Sequence, residues 1–275
     1  MKFKYLHVIW LVLICLSSFS EAGDTYGVIK SKSMIQTDEI TEGFRQSFPN
    51  ARLAVLDMDG KREPAKIRDF LKREKPSVII CLGALSVETM LRVEKKIPVV
   101  FAMVINYKRY SWLGKKNITG VSMEIHPASL FTQFRMLAPE VRSLGVPFHP
   151  DVSAHIVREA ADVARKMGMV LTKIPVRDPD RIKSELSRYE KTYEGLWMIG
   201  DTKLYRIGTR TLFNLIEFSK KKRKPLLAFS EAFLKGGAFF SVSINYRSLG
   251  SQLAMMSRRI VENRVLPGDI RIGPP

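Results

Sequence analysis

The side chains of this sequence that could do chemistry stand at the ends of predicted strands, outside any catalytic motif. A helix predicted to begin near Gly83, Ala84 and Ser86 would offer free backbone N–H groups, which suit a carboxylate or another anion. Asp201 follows a strand in the second half of the chain and would suit an ammonium group. A zwitterion could bridge Ser86 and Asp201, although each of these residues could equally cap its own helix.

Small, hydroxyl-bearing and apolar side chains follow other predicted strands. Ligands of open α/β sheets lie beyond the carboxyl ends of the strands, in the crevice between lobes, so we expect these residues to converge. Met103 and Phe148 would supply apolar surface and the others polar contacts. The predicted ligand-binding residues are Ser31, Ser33, Gly83, Ala84, Ser86, Met103, Ser122, Phe148, Asp201, Thr202, Ser230 and Glu231.

Patterns for catalysis and for metal binding are absent from the sequence. It has no Gly-x-Gly-x-x-Gly after a strand, Walker loop, Gly-x-Ser-x-Gly elbow or His-Glu-x-x-His. His126, His149 and His155 are predicted as surface or loop histidines rather than metal ligands. Asp57 and Asp59 could act as an acid and base pair, but a solvated turn is the favoured interpretation. We predict a binding protein that uses no enzymatic step, cofactor or metal.

The N-terminus predicts export. Lys2 and Lys4 precede an apolar run over residues 5–16, and small residues at 20 and 22 suit signal-peptide cleavage. The apolar run is shorter than the ~20 residues that span a bilayer. We therefore predict a cleaved signal peptide over residues 1–22; an uncleaved anchor is the alternative.

Composition is that of a globular protein with a strong basic excess. The chain is 45% hydrophobic and 26% charged, with a net charge of +18, and residues 1–22 contribute a net +1 of it. The basic residues are spread along the chain, and the densest run, 220–224, falls at a predicted helix end where cations suit the dipole. A nucleic-acid partner is not predicted. Beyond residue 22 the only cysteine is Cys81, in a predicted buried strand, so an internal disulfide is excluded.

Short apolar strands alternate with amphipathic helices from residue 26 onward. Such alternation predicts parallel sheets that are covered on both faces. Two sets of strands predict an α/β fold of two doubly wound parallel-sheet lobes. The predicted strands cover residues 26–29, 53–56, 78–82, 98–102, 118–123, 143–148, 169–176, 196–199, 225–229 and 239–244.

Several segments resemble the solute-binding proteins of ABC transporters, which have the type I periplasmic-binding fold. The likeness is strongest to the group that includes tryptophan- and tyrosine-binding members. It is carried by residues 26–44, 97–102, 117–122 and 237–250, in order and spacing rather than in one diagnostic motif. Two features depart from the family pattern: a longer loop at 104–116 and a C-terminus that stops at Pro275.

The resemblance implies two lobes joined by a three-segment hinge, with crossings near Ser122, near Ser241 and at 266–269. The expected lobes are 23–122 with 242–266, and 123–241 with 267–275. It further implies a periplasmic monomer that captures a small solute, with an amino acid as first candidate, for an ABC permease in the inner membrane. The alternative is a periplasmic sensor that presents its ligand to a receptor or histidine kinase.

Overall fold

Two parallel five-stranded sheets organise the computed structural model, which describes residues 24–206 and 209–275. The predicted signal peptide, residues 1–22, lies outside the described residues. Among the helices of the described residues, none combines the length and the apolar character that crossing a membrane requires. The predicted fold class, α/β with two doubly wound lobes, is confirmed.

The first sheet orders its strands as β2 (Arg52–Asp57), β1 (Thr25–Lys30), β3 (Val78–Leu82), β4 (Val99–Ala102) and β5 (Ile118–Gly120). On one face of the sheet, Val28 and Ile80 pack against the helices over residues 35–47 and 246–261. On the other face, Ile29 and Cys81 pack against the helices over residues 64–74 and 84–93. Because both faces are covered, β3 is apolar throughout, as expected of a buried parallel strand. The elements of this lobe are β1 Thr25–Lys30, α1 Ile35–Ser47, β2 Arg52–Asp57, α2 Pro64–Glu74, β3 Val78–Leu82, α3 Ala84–Val93, β4 Val99–Ala102, β5 Ile118–Gly120 and, from the end of the chain, α8 Tyr246–Val261.

The second sheet repeats this topology in the order β7-β6-β8-β9-β10. In both sheets the first strand of the chain lies second, beside the third, so corresponding strands have corresponding neighbours. The elements of this lobe are α4 Pro127–Leu137, β6 Ser143–Phe148, α5 Pro150–Lys166, β7 Val170–Pro175, α6 Ile182–Arg188, β8 Gly195–Trp197, α7 Thr211–Lys221, β9 Leu226–Ala228 and β10 Phe240–Ser241.

Within the part of the chain that the structure describes, two segments run between the lobes. In the first crossing, Val121 packs in the first lobe and Ile125 in the second. In the return crossing, Val242 packs in the second lobe and Ile244 in the first. These positions lie close to the crossings that the sequence predicts near Ser122 and Ser241.

The C-terminal segment differs from the expectation. The sequence predicts residues 267–275 in the second lobe, but Ile270 is buried in the core of the first lobe and its carbonyl accepts the Thr119 hydroxyl at 2.8 Å. Gly273 pairs with Val121, beside the first crossing. Burial of Ile270 and these main-chain bonds hold the segment on the first lobe.

Helix α8 returns from the second lobe and packs very closely on α1. A Cβ atom on Gly43 would lie 2.1 Å from the carbonyl oxygen of Arg247, and one on Gly250 would lie 2.1 Å from that of Ile40. The two glycines therefore set the distance between the helices, and they fix the return crossing to the first lobe.

Candidate functional site

A cleft of about 1900 Å³ separates the two lobes. Pockets that enclose small ligands measure roughly 300–1,000 Å³. This cleft is therefore larger than a small ligand would fill in the present arrangement of the lobes. The cleft is lined by both crossings, by the start of α1 and by the loops that follow β4 and β9.

The predicted binding residues divide into two groups. Met103, Ser122, Ser230 and Glu231 line the cleft. The others lie outside its walls in this arrangement of the lobes; they are Ser31, Ser33, Gly83, Ala84, Ser86, Phe148, Asp201 and Thr202.

In the first lobe, the chain itself occupies the predicted anion site. The N–H of Ser86 donates to the Ser31 hydroxyl oxygen at 3.0 Å, and the fully buried Ser86 hydroxyl donates to the Gly83 carbonyl at 2.8 Å. Gly83 has φ +97, and a Cβ atom there would lie 2.5 Å from the Ser31 oxygen. The helix end is thus tied to the β1 loop instead of facing the cleft.

In the second lobe, Asp201 is buried and organises its own loop. One carboxylate oxygen accepts the N–H of His149 at 2.8 Å. The other accepts the N–H groups of Lys203 and Leu204 at 3.0 and 2.9 Å. Phe148 is buried in the core. These bonds use the carboxylate that we expected to meet a ligand ammonium.

The loop after β4, residues 104–113, extends from the first lobe toward the second and is called the strap below. Val104 and Trp112 are buried and anchor its two ends. The Trp112 ring lies 5.1 Å from the Phe101 ring and stacks on Tyr110 at 5.2 Å. Asn106, in a left-handed conformation with φ 55, turns the chain between these anchors. The rigid base lets the exposed middle of the strap reach the other lobe.

Polar side chains of the strap contact the second lobe directly. Lys108 Nζ lies 3.0 Å from both carboxylate oxygens of Glu159 on α5, and this hydrogen bonding raises the pKa of Lys108. Arg109 donates to the Thr202 hydroxyl at 3.2 Å. Asn106 Nδ2 donates to Ser153 Oγ at 3.4 Å. The strap is therefore a non-covalent connection between the lobes, in addition to the crossings.

Several of the described residues that line the cleft have polar side-chain atoms without partners. Glu124 Oε1 accepts the Asn106 backbone N–H at 2.6 Å, while burial raises the pKa of this carboxyl group. Within the described residues, Glu124 Oε2, Asn106 Oδ1 and His155 Nε2 are sealed from solvent with no hydrogen-bond partner. Burial also lowers the pKa of His155. The sequence signal for this region is the unusual loop at 104–116; Glu124 itself carries none.

The mouth of the cleft is apolar on both sides. Ile35 at the start of α1 is 74% exposed, and Phe229 and Leu234 in the loop after β9 are 40% and 43% exposed. Large apolar side chains left in water around a concave site mark a surface that contacts a ligand or a partner. These walls supply the apolar surface that we expected from Phe148.

The groups considered for catalysis have local structural roles. Asp57 accepts the N–H groups of Ser33 and Asp59 at 3.0 and 2.8 Å, and although burial opposes it, this hydrogen bonding lowers the pKa of Asp57. Asp59 pairs with Lys66 in a solvent-exposed turn. Two of the predicted surface or loop histidines cap helices: His126 accepts an N–H of α4, and His149, which is buried, accepts one of α5. Within the described residues no three His, Cys, Asp or Glu side chains cluster as a metal site.

The sequence profile of the family described as ABC transporter substrate binding protein matches residues 58–272, most of the chain. The chain belongs to this family. Its members are periplasmic or extracellular proteins that bind a small molecule and act with a membrane permease. A comparison with curated protein sequences gave no match.

Solved structures share the fold at low sequence identity. A protein described as an ABC domain in complex with L-Trp from Streptococcus pneumoniae is 18% identical with a TM-score of 0.59, and the match covers 91% of this chain and 89% of that one. A ligand-free, open substrate-binding protein with adhesive properties from Clostridium difficile is 15% identical with a TM-score of 0.75, again over 91% and 89%. An arabinose-binding protein from Geobacillus stearothermophilus is 14% identical with a TM-score of 0.64, over 92% and 94%. These likenesses show the type I periplasmic-binding fold.

Proposed function

We propose that this protein is an exported solute-binding protein that captures a small organic molecule between its lobes and delivers it to an ABC permease in the inner membrane. The observation that carries the proposal is the cleft of about 1900 Å³, bounded by both lobes and both crossings. Family membership supports the permease partner. The protein binds its ligand without chemical turnover and acts as a monomer.

Capture works by closure of the lobes. In the open arrangement a small solute touches one wall, and closure adds the contacts of the other wall. Affinity therefore comes from contacts that exist only in the closed state, which shifts the population toward closure. The exposed apolar groups at the mouth, Ile35 on one lobe and Phe229 and Leu234 on the other, become covered in this step.

The first candidate ligand is an amino acid with an apolar side chain. The apolar walls favour such a ligand, and a neighbour of the same fold is described in complex with L-Trp, although another neighbour is described as an arabinose-binding protein. A sugar-binding site needs many polar groups to replace water, whereas the mouth of this cleft offers mainly apolar surface.

A thermal-shift screen of the mature protein against amino acids and sugars tests solute capture. A ligand at ~100 times its Kd stabilises the folded state by ~2.7 kcal/mol, which raises Tm by several degrees. Small-angle scattering with the same ligand should show compaction. Failure of every solute to raise Tm and to compact the protein would contradict the proposal.

Variants at exposed apolar positions of the second lobe connect binding to the cleft. Phe229→Asp should abolish the ligand-induced rise in Tm, because Phe229 lines the cleft. Met136→Asp is the matched control, since Met136 on α4 is 77% exposed but is not part of the cleft wall.

Export is tested by fractionation and N-terminal sequencing, with Gly23 expected as the first residue of the periplasmic protein.

A further inference from the structure

The charged side chains of the cleft differ in how far they are withdrawn from water. Lys108, Lys235, Arg247 and Arg271 are exposed, and so are Glu159 and Glu231. Only Glu39 and Glu124, both acidic, are partly buried. Exposed charges are solvated and contribute little to specificity, whereas a charge withdrawn from water needs a partner.

Glu124 is the acid that most lacks such a partner. It forms no ion pair within the described residues, and its Oε1 atom accepts the backbone N–H of Asn106. Its second oxygen, Oε2, is sealed from solvent without a partner. Leaving a buried polar atom unsatisfied costs about 1–3 kcal/mol, and more when the group is charged.

Asn106 adds a second acceptor in the same place. This side chain is 1% exposed, and its Oδ1 atom also has no partner among the described residues. The backbone hydrogen bond between the two residues holds them side by side at the base of the cleft. Two unpartnered oxygen acceptors require a hydrogen-bond donor, and the donor that best matches a carboxylate in a sheltered site is a cation.

Glu124 and Asn106 lie where closure of the lobes changes their surroundings. Glu124 lies in the first crossing, about which the lobes must turn, while Asn106 lies in the strap and contacts Ser153 of the second lobe. Movement of the lobes therefore changes what faces both oxygens. A group carried in by a ligand can reach them as the cleft narrows.

We infer that Glu124 and Asn106 form an amine-binding subsite at the base of the cleft, so that the captured solute presents a protonated amine there. The inference rests on the proposed function, solute capture by lobe closure. It places the ligand ammonium at Glu124 instead of at Asp201, whose oxygens already accept backbone N–H groups.

The first lobe offers a ligand carboxylate less than the sequence suggests. The helix end predicted to bind it has its N–H at Ser86 taken by the Ser31 hydroxyl. The subsite therefore selects the solute by its amine, and the Ser86 N–H does not contribute to binding a carboxylate. The ligand class is an apolar body that carries a primary amine, which includes amino acids and simple amines.

Two matched probe series test the subsite. One shares an indole body: tryptamine, L-tryptophan and indole-3-propionate. The other shares a branched aliphatic body: isoamylamine, L-leucine and 4-methylpentanoate. Calorimetry and thermal shift on the wild-type protein should show binding of amines and amino acids in at least one series, with the matching acid bound at least 10-fold more weakly.

The variant Glu124→Gln should weaken amine binding by about 10- to 100-fold, the loss expected for a hydrogen bond between charged groups. Glu140→Gln is the matched control, because Glu140 is exposed and lies outside the cleft wall. It should leave amine binding within about 2-fold, on the scale expected of an exposed charge. Circular dichroism and the unfolding transition of each variant establish that it is folded.

Several outcomes overturn the amine subsite. They are equal or tighter binding of the acid probes, amine binding that persists in Glu124→Gln or is lost in Glu140→Gln, and absence of amine binding in both series. If a sugar or another solute without an amine binds and compacts the protein, solute capture stands and only the subsite fails. If no solute of any class binds, both proposals fail.

Discussion

The loops after the fourth strand of each sheet are built differently, although the two sheets share one strand order. In the first lobe this loop is the strap, held by buried Val104 and Trp112 and bound to the other lobe through Lys108. In the second lobe the corresponding loop, 229–235, exposes Phe229 to the cleft. A shared framework thus leaves function to its loops: one connects the lobes, the other offers apolar surface to a ligand.

The loops after the central strands are alike in the two lobes, and both are closed by their own hydrogen bonds. Ser31 binds the N–H of Ser86 in the first lobe, and Asp201 binds the N–H of His149 in the second. Each bond joins the tips of two neighbouring strands. The polar groups that look available in the sequence are used to shape the strand tips, and the fourth-strand loops line the cleft instead.

The largest expected effect is on stability and concerns α8, the helix that follows the return crossing and packs on the first lobe. Gly250→Ala should lower the free energy of unfolding by ~3 kcal/mol, because its Cβ atom would meet the Ile40 carbonyl at 2.1 Å and force α8 away from α1. Denaturant unfolding measures this. Gly200→Ala in the second lobe is the control, since its Cβ atom would lie 3.6 Å from Ile105, an ordinary contact. Equal stability of the two variants would refute the close packing of α8.

The next largest effect is expected on the stability of the ligand-free protein, and it tests the environment of Glu124 at the base of the cleft. Burial raises the folded-state pKa of Glu124 and outweighs the opposing effect of the hydrogen bond from the Asn106 backbone N–H. The folded protein then holds this proton more tightly than the unfolded chain, so stability falls as pH rises above the ordinary glutamate pKa of about 4.3. Glu124→Gln removes the charge and should be more stable than wild type at pH 7, by about 2 kcal/mol.

The gain should shrink as the pH is lowered and vanish below about pH 4, where the carboxyl group is protonated in both states. Urea unfolding between pH 3 and pH 8 measures the trend. Glu140→Gln, at an exposed position, is the control and should leave stability nearly unchanged. Loss of stability in Glu124→Gln at neutral pH would show that the carboxylate has a partner after all.

A smaller effect on stability tests whether Ser31, which follows β1, has a structural role or contacts the ligand as the sequence predicts. Ser31→Ala should cost about 1 kcal/mol of stability, because the N–H of Ser86 loses its partner. Solute binding should be retained, since Ser31 does not line the cleft. Ser187→Ala, on the exposed face of α6, is the control. Lost binding at unchanged stability would instead favour the role expected for Ser31 from the sequence.

The fold was predictable from local pattern wherever strands are covered on both faces. Residues 78–82 form a strand as expected, since their continuous apolar character reflects two packed faces. Strand β5 was predicted to extend to Met123 but ends at Gly120, because Val121 pairs with Gly273 and begins the crossing. Where a strand leaves its sheet depends on a segment far away in the chain, which local pattern does not reveal.

The candidate site was predictable only as a region. Met103 and Ser230, two of the residues predicted from strand ends, line the cleft. The sequence did not reveal which strand ends are tied by hydrogen bonds between neighbouring loops, because the bond between Ser31 and Ser86 joins residues 55 positions apart. Glu124 carries no motif, and its environment is created by the strap that folds over it.

The smallest effect on stability, with the clearest effect on lobe arrangement, is expected from the strap. Lys108→Ala removes an exposed ion pair with Glu159, and such pairs contribute ~0.2–1 kcal/mol. Because this pair joins the lobes, its loss should broaden the distribution of distances between them. Spin labels on cysteines introduced at exposed Lys61 and Lys191, one in each lobe, measure that distribution, while the native Cys81 is buried and unreactive.

Exchanging the charges in the double variant Lys108→Glu, Glu159→Lys should restore the narrow distribution, because the attraction is kept with its sign reversed. Lys183→Ala is the matched control: it removes a comparable exposed pair with Glu217, but both residues lie in the second lobe. It should leave the distances unchanged. If Lys108→Ala leaves the distances unchanged, as Lys183→Ala should, the strap is only a surface loop and does not connect the lobes. If only Lys108→Ala broadens the distances, the strap sets the resting separation of the lobes, and with it the free energy that a ligand must supply to close them.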